Sequence, residues 1–71
     1  MKITLHRVVA NDIDILLDKQ LKNASNAESF FLQVASNLTA KGFKKTKVEV
    51  NNGRQFWSYV LNNKKYILSI Y

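Results

Sequence analysis

The stretch from Asn51 to Tyr71, "NNGRQFWSYVLNNKKYILSIY", decides the fold. Asn52-Gly53 is a strong two-residue hairpin signal and Asn62-Asn63 a weaker one. Between and beyond them, polar and apolar residues alternate with period two. Residues 44–50, 54–61 and 64–71 therefore read as three consecutive antiparallel strands. With two-residue loops, Asn51 opposes Arg54, Val50 opposes Gln55, Val48 opposes Trp57 and Thr46 opposes Tyr59. Across the second turn Leu61 opposes Lys64, Tyr59 opposes Tyr66 and Trp57 opposes Leu68.

Opposed residues share a face. One face is then predicted to carry Val48, Val50, Trp57, Tyr59, Leu61, Tyr66, Leu68 and Ile70, and to form the core. The other is predicted to carry Lys45, Lys47, Glu49, Arg54, Phe56, Ser58, Val60, Lys65, Ile67, Ser69 and Tyr71. A slip of one residue in either turn would exchange the two sets.

Working back along the chain, Gly42 stops a helix, because the left-handed C′ position is cheap only for glycine. Phe30, Phe31, Val34, Ala35 and Leu38 form one apolar stripe upstream of it, and Ser25 with Glu28 matches a capping box. This spacing predicts a helix over 26–41. Ile13, Leu16, Leu17 and Leu21 also fall at helical spacing. Asn11 reads as N-cap, Asp12 and Asp14 suit the positive end of a helix dipole, and Asp18 with Lys22 makes an i,i+4 pair. Residues 12–22 are thus expected to be a short helix. Lys2 to Val9 alternates and reads as a first strand, with Ile3 and Leu5 inward. The expected fold class is α+β: two helices packed on one face of an antiparallel three- to four-stranded sheet, in the order β-α-α-β-β-β. Residues 1–71 are expected to form a single small α+β domain.

Composition narrows the function. Cysteine and proline are absent, and there is one histidine, His6. Disulfides and thiolate chemistry are excluded, and zinc is left with a poor ligand set. Asp12 and Asp14 point to different sides of the expected helix, so no metal site is expected, and no cofactor either. No apolar stretch approaches the ~20 residues that span a bilayer. Without a signal peptide, a cytoplasmic location is expected.

The net charge is +6. Residues 1–40 are balanced. The whole excess lies in 41–65, where Lys41, Lys44, Lys45, Lys47, Arg54, Lys64 and Lys65 face Glu49 alone. Such asymmetry points to a polyanionic partner. The expected function is non-enzymatic binding of single-stranded DNA or RNA by the outer sheet face, centred on Lys45, Lys47, Arg54, Phe56 and Lys65. Rings stack bases there while cations neutralise phosphates. The alternative is a small regulatory or inhibitory protein, of the kind phages and mobile elements carry. It would dock on the acidic surface of a larger protein through the same face. A homodimer through Phe56, Val60 and Ile67 would also cover that face.

Leu38 to Ile70, with "LTAKGF" leading into a basic hairpin, resembles small double-stranded-RNA-binding-like toxins of the HicA type. The resemblance covers under half the chain and implies RNA cleavage as a third function. Independently of it, His6 with Lys and Tyr side chains would supply acid and base for such cleavage, because RNA carries its own 2′-OH nucleophile. The Gly-Ser-His element of those toxins is missing between Val50 and Tyr59, so no site residue is carried over. The same region is similar to a winged helix, with 12–22 and 26–41 as helix-turn-helix and "NNGR" as wing tip.

Overall fold

A computed structural model describes residues 1–10 and 12–71. Among these residues, five strands and one helix follow in the order β1 Lys2–Val9, β2 Asp12–Gln20, α1 Ala24–Ala40, β3 Lys44–Asn51, β4 Arg54–Leu61 and β5 Lys64–Ile70. The strands form one antiparallel sheet in the order β2-β1-β5-β4-β3. The chain ends meet in its middle. Lys2 and Tyr71 exchange backbone hydrogen bonds of 2.6 and 2.9 Å, which sets β1 beside β5.

The expected two-helix fold is therefore corrected: residues 12–22 do not form a helix, and the sheet has five strands rather than three or four. The physical reason is a β-bulge. Leu5 pairs with Leu17 and His6 with Ile15, which leaves Leu16 as the extra residue. Ile13 and Ile15 stand on one face, and the bulge turns Leu17 onto the other. A strand whose parity shifts halfway places apolar residues at 13, 16, 17 and 21, the spacing a helix also produces. Asp18 pairs with Lys2 at 3.6 Å instead of with Lys22. The N-cap expected at Asn11 lies outside the described residues. Without a helix over 12–22, the winged-helix likeness loses its helix-turn-helix.

The second expected helix is present, with a different start. Asn23 is the N-cap, its side-chain oxygen accepting from the backbone of Ser25 at 2.8 Å and of Asn26 at 3.2 Å. Its end is a Schellman motif: Phe43 N–H donates to Leu38 O at 3.0 Å and Gly42 N–H to Thr39 O at 3.1 Å. Gly42 has φ +97°.

Both hairpin turns have two residues, and Asn52, Gly53, Asn62 and Asn63 all have positive φ, as type I′ turns require. The register matches expectation at Val50–Gln55, Val48–Trp57, Leu61–Lys64, Tyr59–Tyr66 and Trp57–Leu68. It departs at Thr46, a second bulge. Lys45, not Thr46, pairs with Tyr59, while Lys47 pairs with Ser58.

The helix covers one face of the sheet. Ile3, Leu5, Tyr59, Tyr66, Leu68 and Ile70 are buried against Ala27, Phe31, Ala35 and Leu38. Phe31 meets Trp57 edge-on at 4.9 Å and Phe43 meets Tyr66 in the same way at 4.9 Å. Such pairs contribute about 0.5–1.5 kcal/mol each beyond burial. The cover is incomplete at the β3 edge, where Val48 and Val50 remain exposed. Among the described residues no helix is long and apolar enough to cross a membrane.

Candidate nucleic-acid interface

Among the described residues no helix lies over the opposite face, and strand pairing lays its side chains out in rows. The first row runs Lys2, Tyr71, Arg54, Asn51 from β1 to β3. The second runs Asp18, Thr4, Ser69, Phe56, Glu49 from β2 to β3. The third runs Ile15, His6, Ile67, Ser58, Lys47. The fourth runs Ile13, Val8, Lys65, Val60, Lys44.

Two depressions indent this face. One, of about 410 Å³, lies over the β2–β1 half and reaches Arg54 and Tyr71. The other, of about 420 Å³, lies over the β5–β4–β3 half and is lined by Lys47, Ser58, Lys65 and Ile67 among others. His6 and Phe56 line both. Phe56 is half-buried, with the buried Ser69 opposite it in the neighbouring strand.

Four of the five residues expected to form the surface share this face: Lys47, Arg54, Phe56 and Lys65. Lys45 does not. The bulge at Thr46 turns it to the helix side, where its Nζ lies 4.4 Å from the centre of the Trp57 ring. Its charge is held against the partly buried indole, a cation–π interaction. Val60 and Ile67, expected with Phe56 at a dimer contact, also share the outer face, two rows and one row away from the phenyl.

Charge is uneven across the face. Its β3–β4–β5 half carries Lys44, Lys47, Arg54 and Lys65 against Glu49, whereas its β1–β2 half carries Lys2 against Asp18. Arg54 lies over the Tyr71 ring at 5.8 Å. Lys47 forms an ion pair with Glu49. That hydrogen bond, then the Lys47 charge, holds the Glu49 carboxyl below the ordinary carboxylate range, with Lys65 adding a smaller pull. Both partners are exposed, so the pair stabilises little.

Sequence reading put Ser69 on this face with Phe56, and Lys2 and Thr4 there if the first strand joined the sheet; it missed Asp18, which the expected helix over 12–22 took away from the sheet. Asp18 comes to the face only because β1 pairs with β5 and β2 with β1. Among the described residues no three His, Asp or Glu side chains gather where a metal could be held. Asp14 is instead paired with Arg7 at 2.8 Å on the helix side.

No family model matches the sequence, and the comparisons with curated proteins and with solved structures give no match.

Proposed function

We propose that the protein binds single-stranded nucleic acid across the sheet face opposite α1. The carrying observation is the position of Phe56. With the His6 imidazole it lines both depressions, and of the two it is the larger apolar ring, with Arg54 and Tyr71 to one side and Lys47 and Lys65 to the other. A strand crossing the face stacks a base on Phe56 and sets its phosphates near Arg54, Lys47, Lys65 and Lys44. Base–aromatic stacking contributes about 1–3 kcal/mol, and the cations add a salt-sensitive term. Antiparallel neighbours fix the backbone positions of these groups, so ordering on binding falls mainly on the lysine and arginine side chains.

The test is fluorescence anisotropy of a labelled U-rich 12-mer at low salt, with wild type, Phe56→Ala and a Lys47→Ala/Arg54→Ala/Lys65→Ala triple variant. Saturable binding that weakens tenfold or more in Phe56→Ala, and is abolished in the triple variant, is expected. Absence of binding by the folded wild type overturns the reading.

A second reading, docking on an acidic protein surface, is favoured by Ile13 and Ile15, which are 59% and 62% exposed on the same face. Exposed apolar residues beside a basic surface suit a protein partner better than they suit phosphates.

A further inference from the structure

The charge imbalance within the outer face separates the two parts of a bound strand, its phosphates and its bases. The β3–β4–β5 half carries four cations against Glu49. The β1–β2 half is neutral, with Lys2 and Asp18 paired across it at 3.6 Å. A polyanionic backbone follows the positive half. The bases then reach over Phe56 into the depression of about 410 Å³, where Lys2 and Asp18 offset each other and Arg54 stands at the edge beside Tyr71.

That depression has features a phosphate would not select. Asp18 stands in its wall, and a carboxylate repels phosphate. Its floor includes Ser69, only 2% exposed and yet lining the depression. The Ser69 hydroxyl takes no part in the side-chain hydrogen bonds of the described residues. A hydroxyl left this way is free to bond to whatever fills the depression, and loses free energy if an apolar group covers it. Thr4 stands beside it in the same row, between Ser69 and Asp18.

We propose that this depression is a base-reading subsite selective for guanine, an inference that rests on the nucleic-acid reading of the face. Guanine presents two adjacent donors, N1–H and the N2 amino group, next to the O6 acceptor. A carboxylate accepts from both donors at once, and an ammonium beside it donates to O6. Asp18 and Lys2 supply that pair on one wall, with the Ser69 hydroxyl beneath and the Phe56 ring at the entrance. Adenine meets Asp18 with one amino group and an unprotonated N1, and uracil offers a single N–H. Both leave a carboxylate oxygen without a donor, so they bind less well.

The test compares a U-rich hexamer with hexamers carrying one central G, A or C, each titrated into wild type, Asp18→Asn and Ser69→Ala. One G should raise affinity about tenfold over the all-U strand, the ratio a good paired interaction supplies. A and C should not. Asp18→Asn should remove the gain from G, so that the G-containing and all-U strands bind this variant with the same affinity. Ser69→Ala should reduce the gain. Equal binding of all four strands by wild type overturns the guanine subsite while leaving the proposed function standing. A gain from G that survives in Asp18→Asn also overturns it. Failure of every strand to bind overturns the proposed function itself.

Discussion

Phe56 and Trp57, adjacent in β4, stand on opposite faces of the sheet. The indole meets Phe31 of the helix edge-on at 4.9 Å, while the phenyl stands between two open depressions. Strand geometry alone separates a core ring from a surface ring, since successive side chains alternate. Trp57→Ala should destabilise the fold by about 3 kcal/mol, at the low end for a tryptophan because the ring is only partly buried. Phe56→Ala should cost much less stability and reduce oligonucleotide binding. Chemical denaturation of both variants checks the first statement and anisotropy the second. Equal loss of stability would mean that both rings serve the core.

Lys45 and Lys65 separate charge from position. Both are lysines of the basic C-terminal part, yet Lys45 lies against Trp57 on the helix side and Lys65 lines the second outer depression. For a single strand, the slope of log K against log salt becomes shallower by about 0.7 for each phosphate that a variant no longer neutralises. Lys65→Ala should lower the slope by about that amount. Lys45→Ala should leave the slope unchanged and lower stability by about 0.5–1 kcal/mol, because the Trp57 ring is deprived of its cation. Salt titrations of the two variants decide it.

The bulge in β2 makes Leu16 and Leu17 unequal. Leu17 packs against the core and Leu16 is exposed. Leu17→Ala should cost about 2 kcal/mol and Leu16→Ala less than about 0.5. Were residues 12–22 a helix over the sheet, both leucines would belong to its apolar stripe and the two losses would be similar. Thermal unfolding of the pair distinguishes these outcomes.

Gly42 holds φ +97°, and a Cβ there would meet Leu61 Cδ1 at 3.9 Å, an ordinary contact. Its replacement therefore meets a conformational cost rather than a steric one. Gly42→Ala should lose about 1 kcal/mol, and Gly42→Asn less, because Asn tolerates the left-handed region. Comparing the two by denaturation checks this.

Burial raises the Tyr59 hydroxyl above its ordinary value of 10.0. Well below that value the phenol is protonated in both states, and its ionisation leaves stability unchanged. As pH rises past it, the unfolded chain releases the proton while the folded chain keeps it, so stability falls with pH. Tyr59→Phe should have a shallower fall over about one pH unit either side of an ordinary tyrosine. Denaturation series of the two proteins across that range give the comparison.

The C-terminal half was legible because its signals are local. Asn52-Gly53 and Asn62-Asn63 fix two turns, and each turn fixes the register of the strands it joins. Gly42 and Phe43 likewise announce the helix end. What stayed hidden was non-local or irregular. Nothing in Lys2–Val9 specifies β5 as its neighbour, so the meeting of Thr4 with Ser69 and of Lys2 with Tyr71 could not be read. The two bulges cost more. At Leu16 the bulge made a strand imitate a helix, and at Thr46 it moved Lys45 to the other side of the sheet. A bulge leaves no turn residue behind, and period-two counting carries its error onward until another constraint resets the parity.

The most direct test of the binding face is a ¹H–¹³C and ¹H–¹⁵N titration of the labelled protein with a U-rich single strand. The Phe56 and Tyr71 ring signals and the side chains of Arg54, Thr4 and Ser69 should shift progressively. The Trp57 indole N–H, which donates to Gln55 at 3.1 Å on the helix side, should stay in place, as should the methyl groups of the exposed Leu32 on α1. Shifts concentrated on Trp57, Lys45 and α1, with Phe56 unmoved, would contradict the assignment of the interface to the outer face.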